Sequence, residues 1–384
     1  TASAPYSSGT NNVAVGYQAL YGFTTGYNNC VLGRGAGTAV TTGFNNQYIG
    51  YNAGYYNQTG RSNIAIGYAS MQGASGQSHN YNIGIGEGTL FSVTTGGHNI
   101  AMGANSGYSL TSGENNVILG QSAGNALDTI SNCILIGRNA GTAINNTGAN
   151  ATVAVGVNAG AAATSGAGNT FVGFKAGYEL VTGHSNTFLG YEAGGDFDGG
   201  ESNMTAVGRN AMGDADNDSS ADCVAIGVSA LQGSTGVLGR CIAIGKNAMS
   251  STSTRNVESS IAIGHQAMDS TFGGGVTDVI AIGRDSMHHA SNQLNGVLGA
   301  IGIGGYSLQS LTTGDYNIAI GYEAGDAITT GENNIVIGYG ADVSAADASN
   351  ETVIGNSSQT SVLFGGDAHA VSYTHLTLPT IAKV

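Results

Sequence analysis

The chain has 384 residues, of which 65 are glycine, two are proline and none is tryptophan, and only 9% are charged. Collagen requires a strict three-residue glycine period with abundant proline, and a disordered tract requires fewer than the 41% hydrophobic residues present here or a higher charge density. The formal charge of −14, from 24 acidic and 10 basic residues, provides no basic stripe to neutralise phosphates and argues against nucleic acid as a partner.

Residues 1–10, "TASAPYSSGT", read as a leader or fragment end, with neither a charged n-region nor an apolar h-region. No apolar run reaches the length that spans a bilayer, so no transmembrane segment is expected. From residue 11 a single unit recurs. Its most constant feature is a glycine after an aliphatic residue, first at Gly16, Gly33, Gly50 and Gly67 and finally at Gly338 and Gly355: twenty anchors, 17 to 21 residues apart. A self-similar period of this size points to a solenoid.

The columns of the repeat define the expected elements. Asn stands four before the anchor in eleven units, including Asn12, Asn29, Asn46 and Asn334, and identical amides stacked in register can hydrogen-bond from coil to coil. The residue immediately before the anchor is always Val, Ile, Leu or Met, and the residue two before that is usually β-branched, as in Val13 and Val15. Side chains two apart share a strand face, so these two columns predict the core stripe. Between them, Ala14, Ala65 and Ala225, with Tyr48 or Phe171 in other units, predict a mostly small outer face suited to packing against another surface.

Three residues after the anchor only Ala, Ser or Thr occurs, and the next position is Leu or Met in nine units and Gly in nine others. This predicts a second, shorter edge that either plugs the core or turns. Length variation follows it, in "TSTRNVESS" and "HHASNQLNGV", beside Thr-Gly turns such as Thr25-Gly26 and Thr313-Gly314. A helical repeat fails, because each unit has too few consecutive apolar positions before a glycine. The fold class is therefore all-β: a β-solenoid of about 20 short coils over residues 11–366, on the order of 95 Å long at roughly 4.8 Å per coil.

The segments "NNVAVG", "SNIAIG", "HNIAMG" and "YNIAIG" resemble the head repeats of YadA-like trimeric autotransporter adhesins. Arrays such as "NIAIGYEAGDAITTGENNIVIGYGAD" are similar to those of bacteriophage tail fibres. The resemblance implies a left-handed parallel β-roll packed as a homotrimer, with the small Ala column permitting close approach of the three rolls. It also implies adhesion or host recognition rather than catalysis. The units here are longer than the usual adhesin-head coil, and the additional residues fall in the Thr-Gly segment. The last unit, "NETVIGNSSQTSVLFGG", resembles the close of such an array. Residues 367–384 leave the repeat and read as a foreign or truncated tail.

Candidate chemistry is sparse: the sequence has no paired-Cys metal motif, phosphate loop or His-Glu-x-x-His. Cys30, Cys133, Cys223 and Cys241 fall in strand columns and read as small thiols. Cys223 and Cys241 share a column in adjacent coils, but stacked parallel side chains are poorly aimed for a disulfide. "GGDFDGGES" and "GDADNDSSAD" place Asp196, Asp198 and Glu201 beside Asp214, Asp216 and Asp218. Asp196 and Asp214 are expected to stack one coil apart, where like charges repel unless water or a cation intervenes. Asp196, Asp198, Asp214, Asp216 and Asp218 thus form a candidate Ca²⁺ site, the alternative being a solvated acidic loop. For the adjacent His288-His289 a solvated loop is preferred over a metal site.

The position after the anchor collects Tyr17, Tyr51, Tyr68, Tyr191, Tyr322 and Tyr339 with Arg34, Arg138, Arg209, Lys246 and Arg284. Such a ladder can seal a subunit interface, the preferred reading, or stack on sugar faces. The expected function is a trimeric, extracellular fibre segment, on a cell surface or a virion tail, that presents loops to a host-surface glycan or protein receptor and is not an enzyme. Two alternatives are a monomeric ice-binding solenoid and, less favoured, a polysaccharide-cleaving tailspike using Asp196 and Asp214.

Overall fold

The computed structural model describes residues 8–145, 147–214, 220–233, 236–250, 256–269, 273–288 and 294–359. The tail at 367–384 and the close of the array at 366 lie outside them. Within them the chain is a parallel β-solenoid. Twenty three-residue strands, from Val13–Val15 and Cys30–Leu32 to Ile335–Ile337 and Thr352–Ile354, form one continuous sheet. Each strand pairs in register with the strand of the next coil, Val13 opposite Cys30, Ala14 opposite Val31 and Val15 opposite Leu32. A 3-10 turn at Thr147–Ala149 is the only helical element among the described residues.

The anchor glycine is required by this stacking. Gly16 has φ +134°, and a Cβ there would lie 2.5 Å from the carbonyl oxygen of Gly33 one coil away. Only a residue without Cβ accepts both the torsion and the approach.

The facing of the strand is the reverse of the sequence expectation. The middle residue points inward: Val31, Tyr48, Ala65 and Ala225 are fully buried. The two flanking columns, expected to form the core stripe, point outward; Val13 and Val15 are 57% and 55% exposed, and Leu32 is 48% exposed. The Ala column therefore lines each coil's own interior and cannot be the face on which separate rolls approach. A three-residue strand with its middle side chain inward necessarily turns its two flanking side chains outward, where β-branched residues suit the sheet surface.

Volume matching across that interior explains which middle residue goes with which plug. Where the fourth residue after the anchor is Leu or Met, as at Leu20, Met71, Leu231 and Met268, the middle strand residue of the same coil is Ala or Gly, and these long side chains are buried. Where that position is glycine, six of the nine coils carry a middle residue larger than Ala; in the other three the middle residue is Ala101, Ala154 or Ala319, and a side chain from elsewhere in the stack takes the space, as Phe171 of the next coil does beside Gly160. A Cβ on Gly177 would lie 2.5 Å from the Phe171 ring, and one on Gly54 would lie 2.6 Å from Tyr48. The plug position thus fills and turns at once, since Leu20 and Met71 have φ +52° and +49°. A left-handed residue costs roughly 1–2 kcal/mol, which burial of such a side chain, worth about 1.5–3 kcal/mol, offsets.

The amide ladder forms as expected. Asn29 Nδ2 donates to Asn12 Oδ1 at 3.0 Å and Asn46 Nδ2 to Asn29 Oδ1 at 3.1 Å, while each amide also donates to a carbonyl of the following turn, as Asn29 does to Gly43 at 2.9 Å. The buried polar column is thereby satisfied along its length. A parallel column of Thr hydroxyls ties the turns together: Thr24 Oγ1 donates to the Thr41 carbonyl at 3.2 Å and Thr312 Oγ1 to that of Thr329 at 2.9 Å.

One variable segment is more regular than its sequence implied. In coils that lack the Thr-Gly doublet, Leu238–Gly239, Val257–Glu258 and Val276–Thr277 form a second parallel sheet. Its apolar residues Leu238, Val257 and Val276 are buried. An aliphatic residue seven before the anchor closes the core there in place of a turn.

Candidate functional site

Three features of the outer surface carry potential chemistry: the aliphatic face of the long sheet, the ring-and-cation ladder beside it, and the acidic turns. The first follows from the strand facing. Among the described residues, every large aliphatic side chain more than about a third exposed lies in the column before the anchor or the column two before that, including Ile100, Met102, Ile320 and Ile337. The column before the anchor is aliphatic in every coil, and the column two before it is aliphatic except at Cys30, Gln47, Thr170, Thr187, Thr205 and Thr352, so an apolar strip one to two residues wide runs along the solenoid.

The ladder residues are exposed in the single chain. Tyr17, Tyr51, Tyr68, Tyr191, Tyr322 and Tyr339 all present their rings to solvent, and Arg34, Arg138, Arg209, Lys246 and Arg284 stand in the same column. The column is continuous only in segments. Arg34 sits between two rings, 5.9 Å from the Tyr17 centroid and 5.6 Å from that of Tyr51, and Tyr51 stacks on Tyr68 at 5.2 Å. Tyr322 stacks on Tyr339 at 5.8 Å, and Phe174 on Tyr191 at 5.1 Å. Glu87, Ala104 and Gln121 interrupt the column between these runs.

A shallow groove of about 260 Å³ adjoins the first run, lined by Arg34 and Tyr51 together with Asn52, Tyr55, Tyr56 and Gln72. Tyr55 and Tyr56 meet edge to face, with centroids 4.6 Å apart. Sequence reasoning missed this site. Tyr55 falls five after its anchor, where Tyr21, Phe91, Tyr108 and Tyr178 also stand, a column the sequence reading passes over, and Tyr56 has no such recurrence; only the coil-to-coil offset brings them beside Arg34.

The acidic turns are partly as expected. Asp196 and Asp214 are brought together across adjacent coils. Desolvation, then a hydrogen bond and charge repulsion from Asp214, with Glu179 and Glu192 adding to it, push the Asp196 carboxyl up to about 6. Gln232 Nε2 donates to Asp214 Oδ2 at 2.6 Å. Asp198 is exposed, whereas Glu201 is buried, its Oε2 accepting from the Gly199 N–H at 3.2 Å. Asp216 and Asp218 lie outside the described residues. Among the described residues no group of three His, Cys, Asp or Glu is arranged to hold a metal ion, so the Ca²⁺ suggestion has two adjoining carboxylates and no third ligand there.

His288 faces Asp285, Nδ1 to Oδ1 at 3.4 Å, and His265 approaches the same oxygen at 4.0 Å; His289 lies outside the described residues. All four cysteines are free thiols. The Cys241 N–H donates to Cys223 Sγ at 3.4 Å, and the hydrogen bond between the two thiols, together with burial, pushes the Cys223 thiol up.

No helix among the described residues is long and apolar enough to cross a membrane. Neither the family models nor the curated proteins compared with this chain give a match.

Proposed function

We propose that this chain is a segment of an extracellular fibre, assembled as a homotrimer along its sheet and presenting its turns to a host surface. The observation that carries the reading is the outward aliphatic strip. A monomer in water gains nothing from aligning Ile, Val and Leu on its exterior over twenty coils, and contiguous exposed apolar surface marks an interaction site. Copies related by rotation about the fibre axis bury such a strip without leaving a free end to propagate sideways. Three copies, rather than two, is the number favoured by the resemblance of the repeat to YadA-like adhesin heads and phage tail fibres.

The remaining features suit a display rod. Coil-to-coil amide and Thr hydrogen bonds stiffen the shaft, and all length variation is held in turns away from the strip. The Thr hydroxyls that donate to neighbouring carbonyls are engaged within the shaft, which favours the fibre over an ice-templating surface. Light scattering on the purified chain tests the reading: a stable mass three times that of the chain supports it, and a monomer refutes it. Thermal hysteresis in the same preparation is the signature of the ice-binding alternative.

A further inference from the structure

We propose that the groove beside Arg34 and Tyr51 binds a saccharide bearing a carboxylate, a proposal that rests on the fibre reading for its biological setting and names the class of ligand the fibre takes. Its parts are those that recognise a sugar. Tyr51, Tyr55 and Tyr56 supply aromatic faces with polar tips, an apolar platform for the C–H face of a pyranose ring. Asn52 and Gln72 supply planar amides, each able to donate and accept at neighbouring hydroxyls. Among the described residues, none of these side-chain amides or tyrosine hydroxyls is hydrogen-bonded to another group of the protein, so their polar atoms are open to a ligand. Gly35 is built to the same end: with φ +69°, a Cβ there would lie 2.2 Å from Asn52 Oδ1, so glycine keeps the space that the amide occupies.

Arg34 decides the charge of the ligand. Ten basic residues stand against 24 acidic ones in the chain, yet among the described residues Arg34 has no carboxylate within ion-pair distance. Its guanidinium instead lies between the Tyr17 and Tyr51 rings, 5.9 and 5.6 Å from their centroids, with its N–H donors unpaired. A guanidinium with free donors beside aromatic rings is able to recognise a carboxylate bidentately. The groove, at about 260 Å³, falls just below the roughly 300 Å³ at which drug-sized pockets begin. That size suits a terminal sugar ring rather than a long chain.

The test titrates the full-length chain with 3′-sialyllactose, a glucuronate-containing disaccharide and neutral lactose, using saturation-transfer NMR and calorimetry. The expected result is binding of at least one carboxylated sugar in preference to lactose. Arg34→Gln is expected to weaken that binding about tenfold or more and remove the preference, and Tyr51→Ala or Tyr55→Ala to abolish saturation transfer, all with unchanged circular dichroism and solution mass. Absence of binding by any of the sugars at millimolar concentration overturns the site. So does equal binding of lactose that is insensitive to Arg34→Gln. A change of solution mass in the Tyr51 or Arg34 variants overturns it as well, because it places the ladder inside the subunit contact. The mass of the unmodified protein is read separately, so a monomer refutes the fibre without bearing on the sugar titration.

Discussion

His79 Nδ1 lies 3.3 Å from Asn63 Oδ1, at the step where the amide ladder would otherwise pass directly from Asn63 to Asn82. Asn82 Nδ2 reaches the same ring nitrogen at 3.5 Å, so the imidazole is inserted into the column. The ring is buried, and its Nε2 has no hydrogen-bond partner. Protonation would place an unmatched N–H and a charge in the interior, and burial accordingly lowers the pKa to about 4, with the Met71 carbonyl acting weakly in the opposite direction.

A pH dependence of defined sign follows. Because the folded state resists a proton that the unfolded chain accepts near 6.5, stability is complete above 6.5 and falls as the pH drops toward 4. At pH 4.5 the loss from this residue is about 2–3 kcal/mol. Urea unfolding at pH 7 and pH 4.5, compared between the wild type and His79→Gln, isolates it. Equal losses in the two proteins would show that His79 does not titrate with folding.

The Asp196–Asp214 pair has the opposite sign. Its raised carboxyl, at about 6 against an ordinary 3.8, favours folding in the protonated form, so its contribution is complete below the unfolded value and is lost as the pH rises through 6. Asp214→Asn is expected to lower the Asp196 pKa without restoring it fully, because desolvation remains. Carboxyl NMR titration reads this directly, and a wild-type Asp196 titrating near 4 would refute the coupling.

Interior volume gives a reciprocal prediction. Ala206 and Met212 are the buried middle and plug residues of the coil that follows the one in which Phe188 fills the space at Gly194. Ala206→Phe alone overpacks the coil, at a cost of about 1–3 kcal/mol. Met212→Gly alone leaves a cavity costing about 2–5 kcal/mol. Together they recreate the Phe188–Gly194 arrangement, so the double variant is expected to recover at least about 1 kcal/mol relative to the sum of the singles. Strict additivity in denaturant melts would mean that the two positions do not share one space.

That reciprocity also shows what could be read from the sequence and what could not. The glycine register, the Asn ladder and the alternation of Leu or Met with Gly were legible because each is a single column with one physical role. The direction of the strand was not: Val13, Ala14 and Val15 are all apolar, and period-two alternation is satisfied by either facing. The discriminating signal lay in the pairing of columns, Ala225 with Leu231 and Phe171 with Gly177, which reflects an interior volume shared within a coil and with its neighbours, as Ala154 with Gly160 beside Phe171 shows. The groove at Tyr55 and Tyr56 had no such signal, because it depends on residues from neighbouring coils that meet only through stacking.

The anchor column predicts a sharp intolerance. Gly227 has φ +138°, and an added Cβ would lie 2.4 Å from the Gly245 carbonyl oxygen. Gly227→Ala is expected to destabilise by more than about 2 kcal/mol through combined torsional and steric strain. Gly275→Ala, where the nearest atom to the new Cβ is 3.4 Å away, is the matched control and is expected to be nearly neutral. Comparable melting temperatures for the two variants would remove the steric account of the repeat.

The outward strip gives the prediction that bears most directly on assembly. Ile320 and Ile337 are each 38% exposed in successive coils, where Ile320 pairs directly with Ile337 across the sheet. Neither side chain enters the interior, so Ile320→Glu with Ile337→Glu removes apolar surface from the exterior without touching the Ala, Leu and Met packing inside. In an isolated solenoid this double change would leave the melting temperature within a few degrees and the mass unaltered. In a trimer sealed by the strip it places six carboxylates around one level of the axis, where desolvation and mutual repulsion oppose association. The expected outcome is a fall in solution mass to that of one chain, or a steep concentration dependence of mass, with the β circular dichroism retained. A variant that stays trimeric would show that some other face, the ring-and-cation ladder foremost, holds the subunits together.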